Sequence, residues 1–235
     1  MDSLTTHLTK SPLAARAAPL VLFVILTACQ GALGENGRYW IYLAKTLVGA
    51  WMLWVIRPVV PEMRWKFSWE ATVVGVGVFA LWVGLDSLVP KQNELWFKLG
   101  LSKTPPDDSA IWNPFAKFGE ASALAWFFVA VRTIGSSLVV PPIEEIFYRS
   151  FLYRWIAKPD FESVPLGRFL WRPFLITALI FGFAHNEWLA GILCAAAYQG
   201  LVCWKKRLGD AMTAHAITNL LLGMWVVWRG AWHFW

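Results

Sequence analysis

The chain has 235 residues, of which 57% are hydrophobic, 16% aromatic and 15% charged, and its formal net charge is +6. The charged fraction lies well below the ~25% of soluble globular proteins, and 17 tryptophans suit a chain that meets a membrane–water interface. This composition excludes a soluble globular protein and indicates one compact polytopic membrane domain.

The basic residues lie mostly between the apolar runs. That placement favours anionic lipid headgroups over a nucleic acid as their partners. The three cysteines lie inside apolar runs without a CxxC spacing, which is typical of small buried side chains rather than of a disulfide set or a zinc site.

Apolar runs that can cross a bilayer recur along the chain. A span needs roughly 20 apolar residues, or fewer where neighbouring helices shield its ends. Eight runs qualify: 17–33, 39–56, 71–89, 121–140, 143–156, 173–184, 188–204 and 211–228. Because several are short and the fifth carries charges, we predict an all-α membrane bundle of six to eight transmembrane helices, some of them short or tilted.

The longest polar stretch, residues 91–119, divides the chain into two parts. Trp96 and Phe97 lie there among lysines, which predicts an amphipathic segment at the membrane interface. We assign residues 1–120 to N-terminal transmembrane helices plus this interfacial segment. Residues 121–235 form the helical core that carries the candidate chemistry, within one compact domain overall.

Ionisable groups at membrane depth are unfavourable by several kcal/mol, so each needs a partner or a function. Lys45, Asp86 and Arg132 lie within or near the ends of predicted spans. Snorkelling to the interface or a structural ion pair explains these three. The remaining polar groups of the apolar runs cluster into three short motifs.

The first motif is PPIEEIFYRSFLYRW, residues 141–155. Its two prolines can begin a helix, because proline in a first turn forfeits no internal hydrogen bond. Glu144 and Glu145 then lie in the first turn, where the helix dipole favours an anion. Glu145 and Arg149 share a helix face and are expected to pair, which leaves Glu144 free to take a proton. The alternative is an interfacial helix with solvated charges.

The second motif, FGFAHNEW, ends an apolar run at His185, and the third, GDAMTAHAITN, carries His215 and Asn219 on one helix face. Alone, each is explained by a satisfied histidine or by a polar pair that bridges helices. Together with a free carboxylate they are the groups needed to split an amide with water. A glutamate held by a histidine deprotonates water, and a second histidine and an asparagine donate to the oxyanion.

These motifs resemble those of the CPBP family of intramembrane proteases, which includes the type II CAAX prenyl endopeptidases and the bacterial Abi-type proteins. EEIFYR is similar to the family's EExxxR motif, FGFAH to FxxxH, and HAITN to HxxxN, in the family's order. The resemblance covers roughly residues 120–225.

The resemblance implies four catalytic and two supporting residues, which are Glu144, His185, His215 and Asn219, and Glu145 and Arg149. In these roles Glu144 activates water with the help of His185. His215 and Asn219 stabilise the tetrahedral oxyanion.

The resemblance also implies an all-α membrane fold whose site lies in a cavity within the bilayer. It implies no covalent intermediate, no cofactor and no metal. The expected partners are the lipid bilayer and a membrane-associated peptide or protein substrate, lipidated or not. The expected location is a bacterial inner membrane.

Other classes of protein stay open. A zinc protease would use His185, His215 and a glutamate as ligands, but such enzymes usually place two ligands on one helix, as in HExxH, which the sequence lacks. A non-catalytic scaffold, immunity factor or chaperone of the same fold would show the polar side chains dispersed or ion-paired elsewhere. A transporter would show inverted repeats, and none is found. An enzyme instead requires the four side chains around one hydrated cavity.

Overall fold

The computed structural model describes residues 6, 8, 10–31, 34–103, 105 and 111–235, and within these ranges it contains helices and no β-strand. The helices are α1 (Pro12–Ala28), α2 (Gly34–Ile56), α3 (Trp69–Leu85), α4 (Gln92–Lys98), α5 (Pro114–Phe118), α6 (Ala123–Ala157), α7 (Trp171–Phe183), α8 (Trp188–Lys205) and α9 (Gly209–Arg229). Short 3-10 turns lie at Cys29–Gly31, Pro61–Met63, Phe161–Ser163 and Trp232–Phe234. The predicted all-α fold is confirmed.

Within the described ranges three helices are long and apolar enough to cross a membrane, namely Gly37–Ile56 within α2, the 35-residue α6 and the 21-residue α9. The apolar helices α1, α3 and α7 are shorter. Large apolar side chains such as Trp54 and Trp228 point outward, where lipid rather than water suits them. The protein is an integral membrane bundle, as predicted.

One long helix, α6, replaces two predicted spans. Runs 121–140 and 143–156 were expected to be separate helices divided by Pro141 and Pro142. Proline interrupts an α-helix because it lacks an N–H and its ring clashes with the carbonyl one turn earlier. In α6 the turns at Gly135–Val139 and Ile146–Leu152 are π-helical. The wider turn before the prolines shifts the carbonyls that their rings would meet, so the chain stays helical through them.

The continuity of α6 corrects the predicted position of the two glutamates. Glu144 and Glu145 lie in the middle of a helix rather than in its first turn. The dipole of a free helix end therefore does not act on them, since that effect is confined to the terminal turns. Side chains from other helices must supply their electrostatic environment.

A buried polar cluster joins α1, the 3-10 turn at Pro61–Met63, and α6. Arg16 Nε donates to Glu62 Oε1 at 2.8 Å, and the Ser150 hydroxyl donates to the same carboxylate oxygen. Arg154 Nη2 lies 3.5 Å from that oxygen. Burial acts to raise the pKa of Glu62, but the hydrogen bonds from Arg16 and Ser150 and the charge of Arg16 together hold that pKa below its ordinary value.

Snorkelling or a structural ion pair is the prediction for Lys45, Asp86 and Arg132, and the structure gives polar partners to the first two. Asp86 Oδ2 lies 2.9 Å from His233 Nε2 and so ties the end of α3 to the 3-10 turn at Trp232–Phe234. Lys45 Nζ donates to the hydroxyl of Thr27 at 2.9 Å. Arg132 differs, since within the described ranges its side chain has no carboxylate partner.

The polar stretch 91–119 contains the short helices α4 and α5. Phe97, Leu99 and Leu101 are exposed there, which suits contact with lipid headgroups. Trp112 instead is buried against the ring of Tyr39 in α2, with 4.6 Å between the ring centroids. The interfacial location of this stretch and the division of the chain at residue 120 stay predictions.

Candidate active site

A cavity of about 250 Å³ lies between α6, α7, α8 and α9. All four residues predicted to be catalytic line it, which are Glu144, His185, His215 and Asn219. Other side chains that the sequence did not link to the site also line it, among them Tyr42, Arg132, Ser136, Tyr198 and Trp235. The four polar groups are therefore neither dispersed nor turned toward lipid.

Glu145 is completely buried beside the cavity and contacts two bases. Its Oε2 lies 3.1 Å from Arg149 Nε one turn along α6, which is the predicted ion pair. Its Oε1 lies 3.0 Å from Nδ1 of His215. Because a carboxylate only accepts, Nδ1 of His215 carries the proton and donates it. Glu145 therefore orients the imidazole in addition to pairing with Arg149, a second function that the sequence did not indicate.

Arg149 lies against aromatic rings on its other sides. Its guanidinium carbon is 4.7 Å from the ring centre of Phe181, 5.6 Å from that of Tyr148 and 5.9 Å from that of Tyr198. These ring faces stabilise a desolvated cation. Arg149 is 1% exposed, so it supports the site from behind and does not enter it.

Glu144 is the carboxylate that faces the cavity. Its side chain is 15% exposed, and its Oε2 lies 3.9 Å from Nε2 of His215, too far for a direct hydrogen bond. In the described part of the chain no donor hydrogen-bonds this buried oxygen. The exposed fraction of the side chain therefore belongs to its other atoms, and through them Glu144 faces the cavity.

His185 is held by the helix that precedes it. Its Nδ1 lies 2.7 Å from the carbonyl oxygen of Phe181, which only accepts, so Nδ1 carries the proton and Nε2 of the neutral ring keeps its lone pair. The ring stacks on Phe181 at 4.6 Å and meets the edge of Trp82 at 5.6 Å.

The two histidines lie on the same cavity although all of α8 separates them in sequence. Simple antiparallel crossing of α8 would place them at opposite membrane surfaces. His215, however, lies in the second turn of α9 rather than at its start. The ring of Phe181, 4.6 Å from His185, also lies 6.2 Å from His215 and connects the two.

Asn219 follows His215 by one turn of α9. Its Nδ2 donates to the backbone carbonyl of Ser136 at 2.8 Å, a carbonyl within the π-helical turn of α6. An amide nitrogen has two N–H groups, so one remains for a ligand in the cavity. The π-helical turn of α6 thus supplies the carbonyl that orients the Asn219 amide, in addition to accommodating the prolines.

Sequence reasoning missed the residues that hold His215 in place. Tyr198 of α8 stacks on the His215 ring, with 5.0 Å between centroids. Its hydroxyl donates to Thr218 at 2.7 Å, and Thr218 in turn lies 2.9 Å from the carbonyl oxygen of Gly75. Thr218 follows His215 by three positions, a spacing that could have been noticed. Nothing in the apolar run around Tyr198 indicates its partner.

Arg132 is the second feature that the sequence did not link to the site. Arg132, Ser136, Val140 and Glu144 recur every four residues, and all line the cavity, which therefore runs along one face of α6. The guanidinium of Arg132 is surrounded by rings, at 4.9 Å from Tyr42, 4.7 Å from Trp112 and 5.5 Å from Trp235.

The zinc alternative finds no support in the arrangement of ligands. Among the residues described, no group of three or more His, Cys, Asp and Glu side chains is placed to hold a metal ion. Nδ1 of His215 is directed at Glu145, and Nδ1 of His185 is directed at a backbone carbonyl. Independence from metal stays a prediction.

Comparison with known proteins identifies one family. Residues 122–221 match the family described as Type II CAAX prenyl endopeptidase Rce1-like. This segment contains all three motifs and confirms the resemblance that they carry. No curated protein and no solved structure matches the chain significantly.

Proposed function

We propose that the protein is an intramembrane protease in which Glu144 activates a water molecule, on the basis of the match of residues 122–221 to the Rce1-like type II CAAX prenyl endopeptidase family. The observation that supports this most is the single cavity lined by Glu144, His185, His215 and Asn219. Its substrates are peptides or proteins associated with the membrane.

In the proposed first step, a water molecule in the cavity hydrogen-bonds to the Glu144 carboxylate and to the lone pair of His185 Nε2. Glu144 takes one proton as the water oxygen bonds to the carbonyl carbon of the scissile amide. A general base of this kind needs a carboxylate without a competing internal donor, and among the described residues no donor hydrogen-bonds Glu144 Oε2.

The negative charge that forms on the carbonyl oxygen then meets the second N–H of Asn219 and the ring of His215. His215 donates through Nε2 in its doubly protonated form, which takes its second proton from solvent before the substrate binds and keeps it through the cycle, with Nδ1 directed at Glu145. Collapse of the tetrahedral intermediate breaks the C–N bond. Glu144 returns its proton to the leaving nitrogen, so that an amine and a carboxylic acid are released and the enzyme is restored; the acid then loses its proton to solvent.

The scaffold alternative has less support than the protease. A non-catalytic protein has no need for an unpaired carboxylate beside a cavity, because an ion pair would bury it more favourably. Glu145, one residue later, shows such a pair. The contrast between the two adjacent glutamates favours an enzyme.

Proteolysis of defined peptides by the purified protein in detergent tests the proposal. The probes are a prenylated peptide with a CAAX ending and an apolar peptide without a prenyl group, with products identified by mass spectrometry. We expect the wild-type protein to cut at least one of them and Glu144→Gln to lose ~10²–10⁴ of the rate. Glu94→Gln, on the short helix α4, where Glu94 pairs with Lys98 away from the cavity lining, should keep the wild-type rate.

Three further outcomes separate the alternatives. Cleavage that survives Glu144→Gln would contradict the proposed base. Cleavage abolished by a chelator and restored by zinc would favour the metal-dependent protease over this mechanism. Folded wild-type protein that cuts no member of a broad membrane-peptide library would favour the scaffold.

The location in a bacterial inner membrane is part of the proposal, and fractionation of the source cells tests it.

A further inference from the structure

Arg132 is a positively charged side chain at membrane depth without a polar partner. No hydrogen bond from its guanidinium and no ion pair joins it to any residue in the part of the chain that the structure describes. Its contacts are the faces of Tyr42, Trp112 and Trp235. Ring faces offset part of the desolvation of a cation, but they leave its N–H groups without acceptors.

The other cations in the apolar helices are placed differently. Lys45 donates to the hydroxyl of Thr27 and to the amide oxygen of Gln30. Arg149 faces the Glu145 carboxylate. Since an intramembrane charge persists only with a partner or a function, the absence of both an acceptor and a carboxylate at Arg132 points to a partner outside the chain.

The position of Arg132 specifies where that partner lies. It lines the same cavity as Glu144, on the same face of α6, with Ser136 and Val140 between them. Twelve residues of helix correspond to about 18 Å along the axis. An extended peptide spans at most ~3.3–3.6 Å per residue, so about five residues bridge that axial separation, and fewer suffice where the two side chains reach toward each other within the shared cavity.

The charge and planarity of the guanidinium specify the chemistry. Its parallel N–H groups fit a carboxylate bidentately, and aromatic walls that exclude water strengthen such a pair. From these observations we infer that Arg132 binds a carboxylate of the peptide substrate and thereby determines which bond reaches Glu144. This inference rests on the proposed protease function and deepens it. The carboxylate comes either from the substrate's C-terminus or from an acidic side chain.

Three versions of one peptide distinguish these sources. The prenylated CAAX-ending peptide is made with a C-terminal acid, with a C-terminal carboxamide, and with a carboxamide plus aspartate as the last residue. A charge-assisted hydrogen-bond pair is worth roughly tenfold to a hundredfold in affinity. We therefore expect the wild-type protein to cleave the acid peptide with a kcat/KM ~10- to 100-fold higher than that for the carboxamide peptide. The carboxamide peptide that ends in aspartate should regain this rate only if a side-chain carboxylate can bind Arg132.

Variants of Arg132 test the assignment on the same peptides. Arg132→Ala should lower kcat/KM for the acid peptide alone, so that the ratio of kcat/KM for acid and carboxamide falls close to one. Arg132→Lys should keep part of this preference for the acid. The matched control is Arg57→Ala, which removes an exposed arginine that also lies over a tryptophan, at 5.7 Å from Trp54, but does not line the cavity. A wild-type ratio of one, or a ratio unchanged in Arg132→Ala, would overturn the inference.

A binding measurement separates failure of this inference from failure of the protease. Tryptophan fluorescence reports equilibrium binding of the same peptides to Glu144→Gln and to Glu144→Gln/Arg132→Ala, because Trp112 and Trp235 surround the guanidinium. If Glu144→Gln binds the acid peptide more tightly than the carboxamide, and Glu144→Gln/Arg132→Ala does not, the carboxylate site is supported even when no cleavage occurs. Cleavage without preference for the acid would retain the protease and reject the site.

Discussion

At the scale of single residues, the two adjacent glutamates have opposite environments. Glu145 is fully buried and shared between Arg149 and His215, whereas Glu144 faces the cavity. A sequence shows that Glu145 and Arg149 are four residues apart on one helix, so their pairing could be predicted. It does not show that an imidazole from α9 approaches the same carboxylate from the other side.

Asn219 gives a prediction for the oxyanion site. Replacing it with alanine removes one donor to the transition state, and loss of such a donor typically lowers kcat by about 10²–10³. The same substitution removes the hydrogen bond to Ser136 and should destabilise the fold by only ~0.5–1.5 kcal/mol. Peptide turnover and thermal unfolding, measured on the same preparation, separate these effects. A rate loss no larger than the change in folded fraction would contradict the assigned role.

Arg149 gives a prediction for stability. Arg149→Ala leaves the buried Glu145 charge with only His215, and breaking a buried ion pair typically destabilises a protein by about 3–5 kcal/mol. The double variant Glu145→Gln/Arg149→Met removes both charges and should be more stable than Arg149→Ala. Thermal unfolding in detergent measures both. Equal destabilisation by the single and double variants would show that the ion pair is not what makes Arg149 important.

At the scale of elements, the prolines misled sequence reasoning most. Two consecutive prolines normally predict a helix start, but the π-helical turns let α6 continue through them. A π-helical turn has no residue signature of its own, so its position could not be derived. The boundaries of α3, α7, α8 and α9 were predictable to within a few residues, because each apolar run coincides with one helix.

Close helix contact at a glycine provides a matched pair of variants on α3. A Cβ added at Gly75 would lie 2.6 Å from the Ala214 carbonyl oxygen and 2.9 Å from Ile217 Cβ, next to His215 on α9. A Cβ added at Gly77 would meet nothing within 4 Å. Gly75→Ala should therefore push α9 away, destabilise the protein by roughly 1–3 kcal/mol and lower turnover by reorienting His215.

Gly77→Ala is the control, since it adds the same methyl group to the same helix without a clash. We expect it to keep the wild-type turnover and to leave stability unchanged or raise it by ~0.4–1 kcal/mol. Peptide cleavage and unfolding temperature measure both variants side by side. Indistinguishable behaviour of the two variants would contradict close packing of α3 against α9 as the constraint on His215.

At the scale of the whole molecule, the cluster around Glu62 fastens α1 and the Pro61–Met63 turn to the end of α6 that lies beyond the site. Because the folded-state pKa of Glu62 is below its ordinary value of 4.5, its ionised form stabilises the fold above that pH. The contribution is lost as the pH falls through the lowered folded-state pKa.

The pH dependence of unfolding tests this contribution. Wild-type protein should show a falling unfolding temperature below about pH 4.5, with part of the fall assigned to Glu62. Glu62→Gln should be less stable near neutral pH by roughly 1–3 kcal/mol and should show a shallower loss on acidification. A variant with the same acid profile as the wild-type protein would rule out Glu62 as a contributor.

The molecule as a whole also shows where sequence reasoning ends. Composition and apolar periodicity specify a membrane bundle, and three motifs indicate which polar side chains belong together. Those side chains converge because His215 lies in the second turn of α9, because the ring of Phe181 lies between the two histidines, and because Tyr198 contacts Thr218. These arise from packing between distant segments, as does the enclosure of Arg132 by rings from Tyr42, Trp112 and Trp235.

A double-variant cycle on Glu144 and His185 tests most directly whether both side chains act on one water molecule. Peptide cleavage rates are measured for the wild-type protein, Glu144→Gln, His185→Ala and the double variant. If the two groups share the water, each single change removes the same step and the double variant is about as slow as the slower single one. Rate losses that multiply, or a Glu144→Gln protein that retains the wild-type rate, would contradict this mechanism.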